Sequence, residues 1–311
     1  MLPISLSSGD LLADRRADYA ESCLPDDPVA AAELYVQALE LAPLWGAGWF
    51  RLGEIRADAG LDGAIAAFER ALELDPEDHL GALLRLDLLR GTPLADVMPS
   101  AFVETLFDQY ASGFDVALVD RLDYRAPQLL RAGLAGPFGR VLDLGCGTGL
   151  MGAELRADAD WLEGWDISAE MLREAEGKGL YDRLEKADLS ALQPTAAQYD
   201  LVTAADVFAY LGALEQIVGW VAGALAPGGR FAFSVEAHDG PEPFLLRESR
   251  RYAHSEGYLR GLLAEAGFEV SISRDWLRMD RGAPIWGFVV QAVRAGLRRD
   301  LQGDGEDFAL A

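Results

Sequence analysis

The chain has 311 residues, half of them apolar and a quarter charged, a globular composition with room for two domains. Acids outnumber bases by 51 to 27, a formal charge of −24, which repels phosphate backbones and anionic lipid and argues against nucleic-acid and membrane partners. Two cysteines, Cys23 and Cys146, and three scattered histidines, His79, His238 and His254, make neither a disulfide framework nor a zinc site. The opening residues lack a signal-peptide pattern, and no apolar run approaches the roughly 20 residues of a membrane span. A cytoplasmic, metal-free protein is expected.

The first part of the chain reads as helix throughout, with apolar residues at helical spacing and no alternating pattern before residue 140. It also repeats itself. Residues 35–43 read YVQALELAP and residues 68–76 read FERALELDP, which aligns Tyr35 with Phe68, Ala38 with Ala71 and Pro43 with Pro76. A period near 34 with an aromatic, a small residue and a closing proline is the pattern of tetratricopeptide (TPR) repeats; Trp49, Leu52 and Gly53 suit the start of such a unit. Two repeats are expected over residues 9–43 and 44–76, followed by a helix over 78–90. The domain is set at residues 1–95, with Gly91, Thr92 and Pro93 as linker. A plain helical domain with chance similarity is the alternative.

Helices are expected over about 98–135. From residue 140 strands alternate with helices, which predicts a doubly wound parallel sheet. Seven strands are expected, at Arg140–Leu144, Leu162–Asp166, Leu184–Ala187, Asp200–Ala204, Arg230–Val235, Glu269–Ser273 and Ile285–Val293. The short gap between the last two makes the final strand antiparallel. The fold class is α/β, Rossmann-like, preceded by an all-α TPR domain, with the second domain at residues 96–311.

The strongest local signal is Val141-Leu142-Asp143-Leu144-Gly145-Cys146-Gly147-Thr148-Gly149, a buried strand entering a turn with three glycines. Glycines there let a ligand approach the backbone. The G-x-G-x-G spacing differs from that of dinucleotide sites, and Asp143 disfavours a pyrophosphate in the turn. Asp143 suits a positively charged ligand group or the turn's own amides. Further motifs follow in order: Gly164-Trp165-Asp166-Ile167-Ser168, Ala187-Asp188-Leu189, Tyr199-Asp200-Leu201-Val202 running to Ala205-Asp206-Val207-Phe208, and Leu225-Ala226-Pro227-Gly228-Gly229-Arg230.

Five motifs in this order resemble the class I S-adenosylmethionine-dependent methyltransferases, over about residues 100–311. With the repeats in front, the chain is similar to the bacterial group of methyltransferases that contain TPR repeats. The resemblance implies S-adenosylmethionine as cofactor and S-adenosylhomocysteine as product. It places Asp166 on the ribose hydroxyls, Asp188 and the Leu189 amide on the adenine, and Ile167 and Met171 on the adenine faces. Gly145, Cys146 and Gly147 would line the methionine moiety, and Ala187 and Asp206, in their own motifs, are further cofactor-binding candidates. Phe107, Tyr110 and Phe114 share a helix face at spacings of 3 and 4. That face is either a core stripe or a cover in which Tyr110 or Phe114 touches the cofactor. Arg125 is a candidate partner for the cofactor carboxylate, or a solvated arginine.

On the acceptor side, Glu236, His238, Tyr252, His254 and Ser255 follow the fifth strand, at the ligand-binding end of such a sheet. His238 and His254 are the candidate catalytic bases; Ser255 alternatively caps a helix. Arg247, Arg250 and Arg251 are candidates for binding an acidic substrate, or form a solvated face. Asp206-Val207-Phe208-Ala209-Tyr210 lacks the D/N-P-P-Y/F run of methyltransferases acting on nucleobases. The expected reaction is methylation of a small carboxylic or phenolic acceptor. The alternatives are a protein methyltransferase whose TPR domain docks its target, and a noncatalytic cofactor-binding protein.

Overall fold

A computed structural model describes residues 7–91 and 98–295. Five helices come first: α1 (Leu11–Cys23), α2 (Pro28–Leu41), α3 (Gly46–Asp58), α4 (Ala64–Leu74) and α5 (Ala82–Arg90). Each packs on the next. Asp10 and Asp27 cap α1 and α2 by accepting from amides of the first turn, and Pro28 begins α2, where it forfeits no helical hydrogen bond. Helices α2 and α4 each stop two residues short of a proline, Pro43 or Pro76, because the residue before proline is pushed out of helical backbone. The echoed positions are buried alike: Tyr35 and Phe68, Ala38 and Ala71. Gly53 has a packing reason, since a Cβ there would sit 2.7 Å from the Phe68 ring. Thr92, Pro93 and the boundary at residue 95 lie outside the described residues.

Helix α6 (Ser100–Tyr110), a π-helical turn over Val116–Arg121 and α7 (Ala126–Ala132) lead into the sheet. There follow β1 (Phe138–Leu144), α8 (Leu150–Leu155), β2 (Ala159–Asp166), α9 (Ala169–Lys178), β3 (Arg183–Lys186), β4 (Tyr199–Ala204), α10 (Glu215–Ala224) and β5 (Leu225–His238). The chain closes with β6 (Phe244–Leu246), β7 (Tyr252–Ser255), α11 (Glu256–Glu265), β8 (Phe268–Asp280) and β9 (Ala283–Arg294). Strands β1 to β5 pair in parallel, in the order β3-β2-β1-β4-β5. Strand β9 lies antiparallel on the other edge of β5, and β8 pairs with β9. The last strand is therefore antiparallel, as its spacing suggested.

The sheet has nine strands, not the seven expected. The additional pair, β6 and β7, extends the β4 edge of β5 beyond the end of β4: residues 236–238 of β5 pair with residues 253–255 of β7. These strands have three and four residues, too few to show a period of two, and five residues containing three arginines separate them. No helix joins β3 to β4.

Alternation along each strand covers both faces. In β1, Val141 faces one core, shared with α7 and α8, while Leu142 and Leu144 face the other, shared with α10 and α11. Leu201 against Val202 and Ala204, and Ala232 against Phe231 and Phe233, divide in the same way. The chain leaves β1 and β4 in opposite directions across the sheet, so a crevice opens at their carboxyl ends. A further cluster joins Leu84 of α5 to Met98, Phe102 and Tyr252. No helix of the described residues is long and apolar enough to cross a membrane.

Phe68 is fully buried where α3, α4 and α5 meet. Phe68→Ala is expected to destabilise the protein by about 3–5 kcal/mol through the cavity it leaves. Urea unfolding should show a lower midpoint at unchanged slope.

Candidate functional site

The crevice holds a cavity whose walls come from the residues that follow successive strands: Gly145, Cys146 and Gly147 after β1, Asp166 at the end of β2, Asp188 after β3 and Asp206 after β4. Gly145 and Gly147 have φ of +61° and +52°, backbone that side chains rarely adopt. A Cβ on Gly145 would meet Val207 at 2.6 Å. One on Gly147 would meet only the Phe114 ring, at 3.9 Å, so the turn presents bare backbone to open space.

Two aspartates stand around this turn, and one of them bonds to it. Asp166 accepts from the Gly147 amide at 2.8 Å with one oxygen and from the Ser168 amide at 2.8 Å with the other. Burial pushes its carboxyl up to about 6, against the pull of those amides. Asp143 stays behind the turn, off the cavity wall. It accepts from the Tyr181 hydroxyl at 2.7 Å and the Thr203 hydroxyl at 2.9 Å, and burial pushes it up to about 7. Its partners are hydroxyls rather than the turn's amides or a ligand cation. The Cys146 side chain fills space beneath the turn, and burial pushes its thiol well above the usual range.

Asp188 lines the cavity with Ile167 and Leu189. Its carboxylate accepts from the Ser100 hydroxyl at 2.6 Å and from the amide and hydroxyl of Ser190. Asp206 sits at φ +60°, a strained conformation for a non-glycine residue, with its amide donating to Ser234. One Asp206 oxygen pairs with Arg278; the other is buried with no partner among the described residues. Ser100, Phe107, Phe114 and Tyr210 close the cavity from above, with Phe107 edge-on to both Phe114 and Tyr210.

Other candidates from the sequence lie elsewhere. Tyr110, the last residue of α6, points outward, 59% exposed, while Phe107 one turn earlier and Phe114 beyond the following turn line the cavity. Arg125 stacks 4.1 Å above the Trp276 ring and pairs with Asp275. Met171 is buried in α9, and the Ala187 amide donates to the Asp166 carbonyl. His254 is fully buried in β7, its Nε2 within 3.0 Å of the carbonyls of Leu211 and Gly212. His238 closes on Glu242 at 3.0 Å. Neither histidine lines the cavity, so the expected catalytic pair is not brought to it. Burial pulls His254 down to about 4 and keeps it neutral. Glu236 is buried between arginines, and Ser255 caps α11 by accepting from Tyr258.

Two cavity-lining positions were not among the residues expected from the sequence. Arg278 of β8, 1% exposed, lines the cavity and pairs with both Asp206 and Glu236. The register shift between Trp276 and Arg278 brings Arg278 inward next to buried Leu277; β8 carries five charged residues, so no local signal set Arg278 apart. Tyr124, which donates to the Ala205 carbonyl, is the other.

Comparison with known proteins gives a match to the methyltransferase domain family over residues 116–271, half of the chain. The malonyl-[acyl-carrier protein] O-methyltransferase of Enterobacter lignolyticus (strain SCF1) is 31% identical over 156 residues, 50% of this chain and 61% of that one. Human methyltransferase-like protein 27 is 42% identical over 90 residues, 27% of this chain and 36% of that one. The chain thus spans less than two thirds of either relative. Among solved structures, a DhpI complex with SAH is 28% identical with a TM-score of 0.48, covering 62% of this chain and 95% of that one.

The unfolded-state imidazole of His254 takes a proton below about 6.5, whereas the folded one resists until about 4. Its contribution is therefore complete above pH 6.5 and lost as pH falls towards 4, by about 3 kcal/mol. Asp143 and Asp166, both raised, act in the opposite sense. Urea unfolding of wild type and His254→Gln between pH 4 and 7 isolates the histidine: the variant should lose less stability on acidification.

Proposed function

We propose that this chain, which belongs to the methyltransferase domain family, is an S-adenosylmethionine-dependent methyltransferase and methylates a small acceptor, carboxylic or phenolic, at the cavity beyond β1 and β4. The observation that carries this reading is the glycine turn beside two acids. Bare backbone at Gly147 faces open space, while Asp166 and Asp188 stand on the same wall.

The residues suit the cofactor. Asp166 spends one lone pair of each oxygen on an amide, leaving acceptor capacity for the ribose hydroxyls. Asp188, Ile167 and Leu189 form the adenine end. The unpartnered oxygen of Asp206, buried in the wall, suits a cation such as the methionine ammonium. When bound, the cofactor supplies an activated methyl group, so this chain has to align the acceptor and exclude water. Phe107, Phe114 and Tyr210 supply the apolar cover for that.

The malonyl O-methyltransferase relative supports an oxygen acceptor. Helices α1–α5 are read as TPR-like, supported by the equivalent burial of Tyr35 with Phe68 and of Ala38 with Ala71. A protein bound by those helices is the second part of that reading.

Calorimetric titration with S-adenosylhomocysteine tests the proposal directly. Wild type should bind, and Asp166→Ala should lose about 1–3 kcal/mol through partners left unsatisfied, roughly tenfold to a hundredfold in Kd. Wild-type affinity in the variant would remove Asp166 from the role given to it.

A further inference from the structure

The end of the cavity away from Asp166 and Asp188 is built from charge. Arg278 is shared by Asp206 and Glu236. Glu236 also receives Arg247 at 3.2 Å, and Arg251 stands 4.0 Å from it. In this cluster three guanidinium groups meet the carboxylates of Asp206 and Glu236, while Glu248 and Asp280 stand farther out, along an outer groove. Arg251 has the loosest carboxylate contact of the three, lies beside the Tyr210 hydroxyl and lines the cavity. It also borders that outer groove, which is lined by Leu88 of α5, Leu246 of β6 and Ile285 of β9 and by the charged side chains of Glu236, Arg247, Glu248 and Asp280. Arg251 is the residue common to both spaces, so an acceptor entering from the groove passes it.

Among the described residues, neither histidine is placed at this end to remove a proton. His254 is turned to the carbonyls of Leu211 and Gly212, and His238 to Glu242. Asp206 holds Arg278 with one oxygen, and its second oxygen is the one assigned to the cofactor cation. A phenol or alcohol would need a base to become a nucleophile near neutral pH; a carboxylate is already ionised.

We infer that Arg251 binds the carboxylate of the acceptor and that the product is a methyl ester. This rests on the methyltransferase reading above. The acceptor oxygen forms a bond to the methyl carbon, the methyl–sulfur bond breaks with its electron pair going to sulfur, and no proton moves. The negative charge of the acceptor and the positive charge of the sulfonium cancel. The two signs are sorted within the cavity, the anion toward Arg251 and the cation toward the free oxygen of Asp206. The body of the acceptor lies in the outer groove, where α5 of the N-terminal helices contributes Leu88 to its selection.

The test uses the full chain, methyl-labelled S-adenosylmethionine and a small-molecule cell extract, followed by mild alkali. Methyl esters release the label as methanol, whereas methyl ethers and N-methyl groups retain it. Alkali-labile label is the expected result; alkali-stable label, or no transfer by protein that binds S-adenosylhomocysteine, would overturn the inference. Arg251→Gln should lower ester formation at least about tenfold at low acceptor while binding S-adenosylhomocysteine within about threefold of wild type, and Arg251→Lys should recover part of the loss. Undiminished ester formation by Arg251→Gln also overturns it. Should that variant fail to fold, the alkali test on wild type still decides. Failure of wild type to bind S-adenosylhomocysteine would sink the methyltransferase reading itself, a result distinct from either of these.

Discussion

The site depends on one carboxylate. Asp166, at the end of β2, grips the amide of Gly147 and so fixes the turn that leaves β1. Without that bond, a run of glycines with positive φ would have many conformations open to it. The same carboxylate takes the Ser168 amide as α9 begins, so a single side chain joins the ends of two neighbouring strands to the start of a helix. The turn can then lie against the cavity as ordered bare backbone, which a larger residue at position 147 would fill.

A second layer supports the first. Asp143 is buried under the turn and held by two hydroxyls, Tyr181 from before β3 and Thr203 from β4. The Tyr181 ring also fills the space over Gly149 and Gly152. Three strands are thereby pinned around the crevice by polar contacts that never reach its surface. Burial works against these acids, and their hydrogen bonds recover only part of the cost, so the turn is ordered at the expense of some stability.

Much of this was legible in the sequence because its signals are local. A strand, a glycine turn and an acid at the next strand end lie within about 25 residues, and each fits a known backbone requirement. The principal parallel strands and the antiparallel closing strand followed from spacing. What stayed hidden depends on pairing across the fold. Strands β6 and β7 exist because β5 outruns β4 and leaves an edge for them. Arg278 faces inward because of a register shift in β8. Tyr110 was misplaced because a spacing of three from Phe107 leaves it at the margin of that helix face, where it meets solvent. His254 looked like a loop residue near a ligand; in its strand it is a core residue whose ring nitrogen serves two carbonyls.

The cluster of Leu84, Met98, Phe102 and Tyr252 ties the opening helices to the cover of the crevice. Phe102 lies on α6, the helix whose first residue, Ser100, reaches Asp188, and Tyr252 begins the strand that follows Arg251. The leading helices therefore act as a buttress: shaved away, they would leave the lid without the apolar seat on which it rests. Evolutionary exchange of that front segment for another would have to supply a replacement for Leu84 at the same spot.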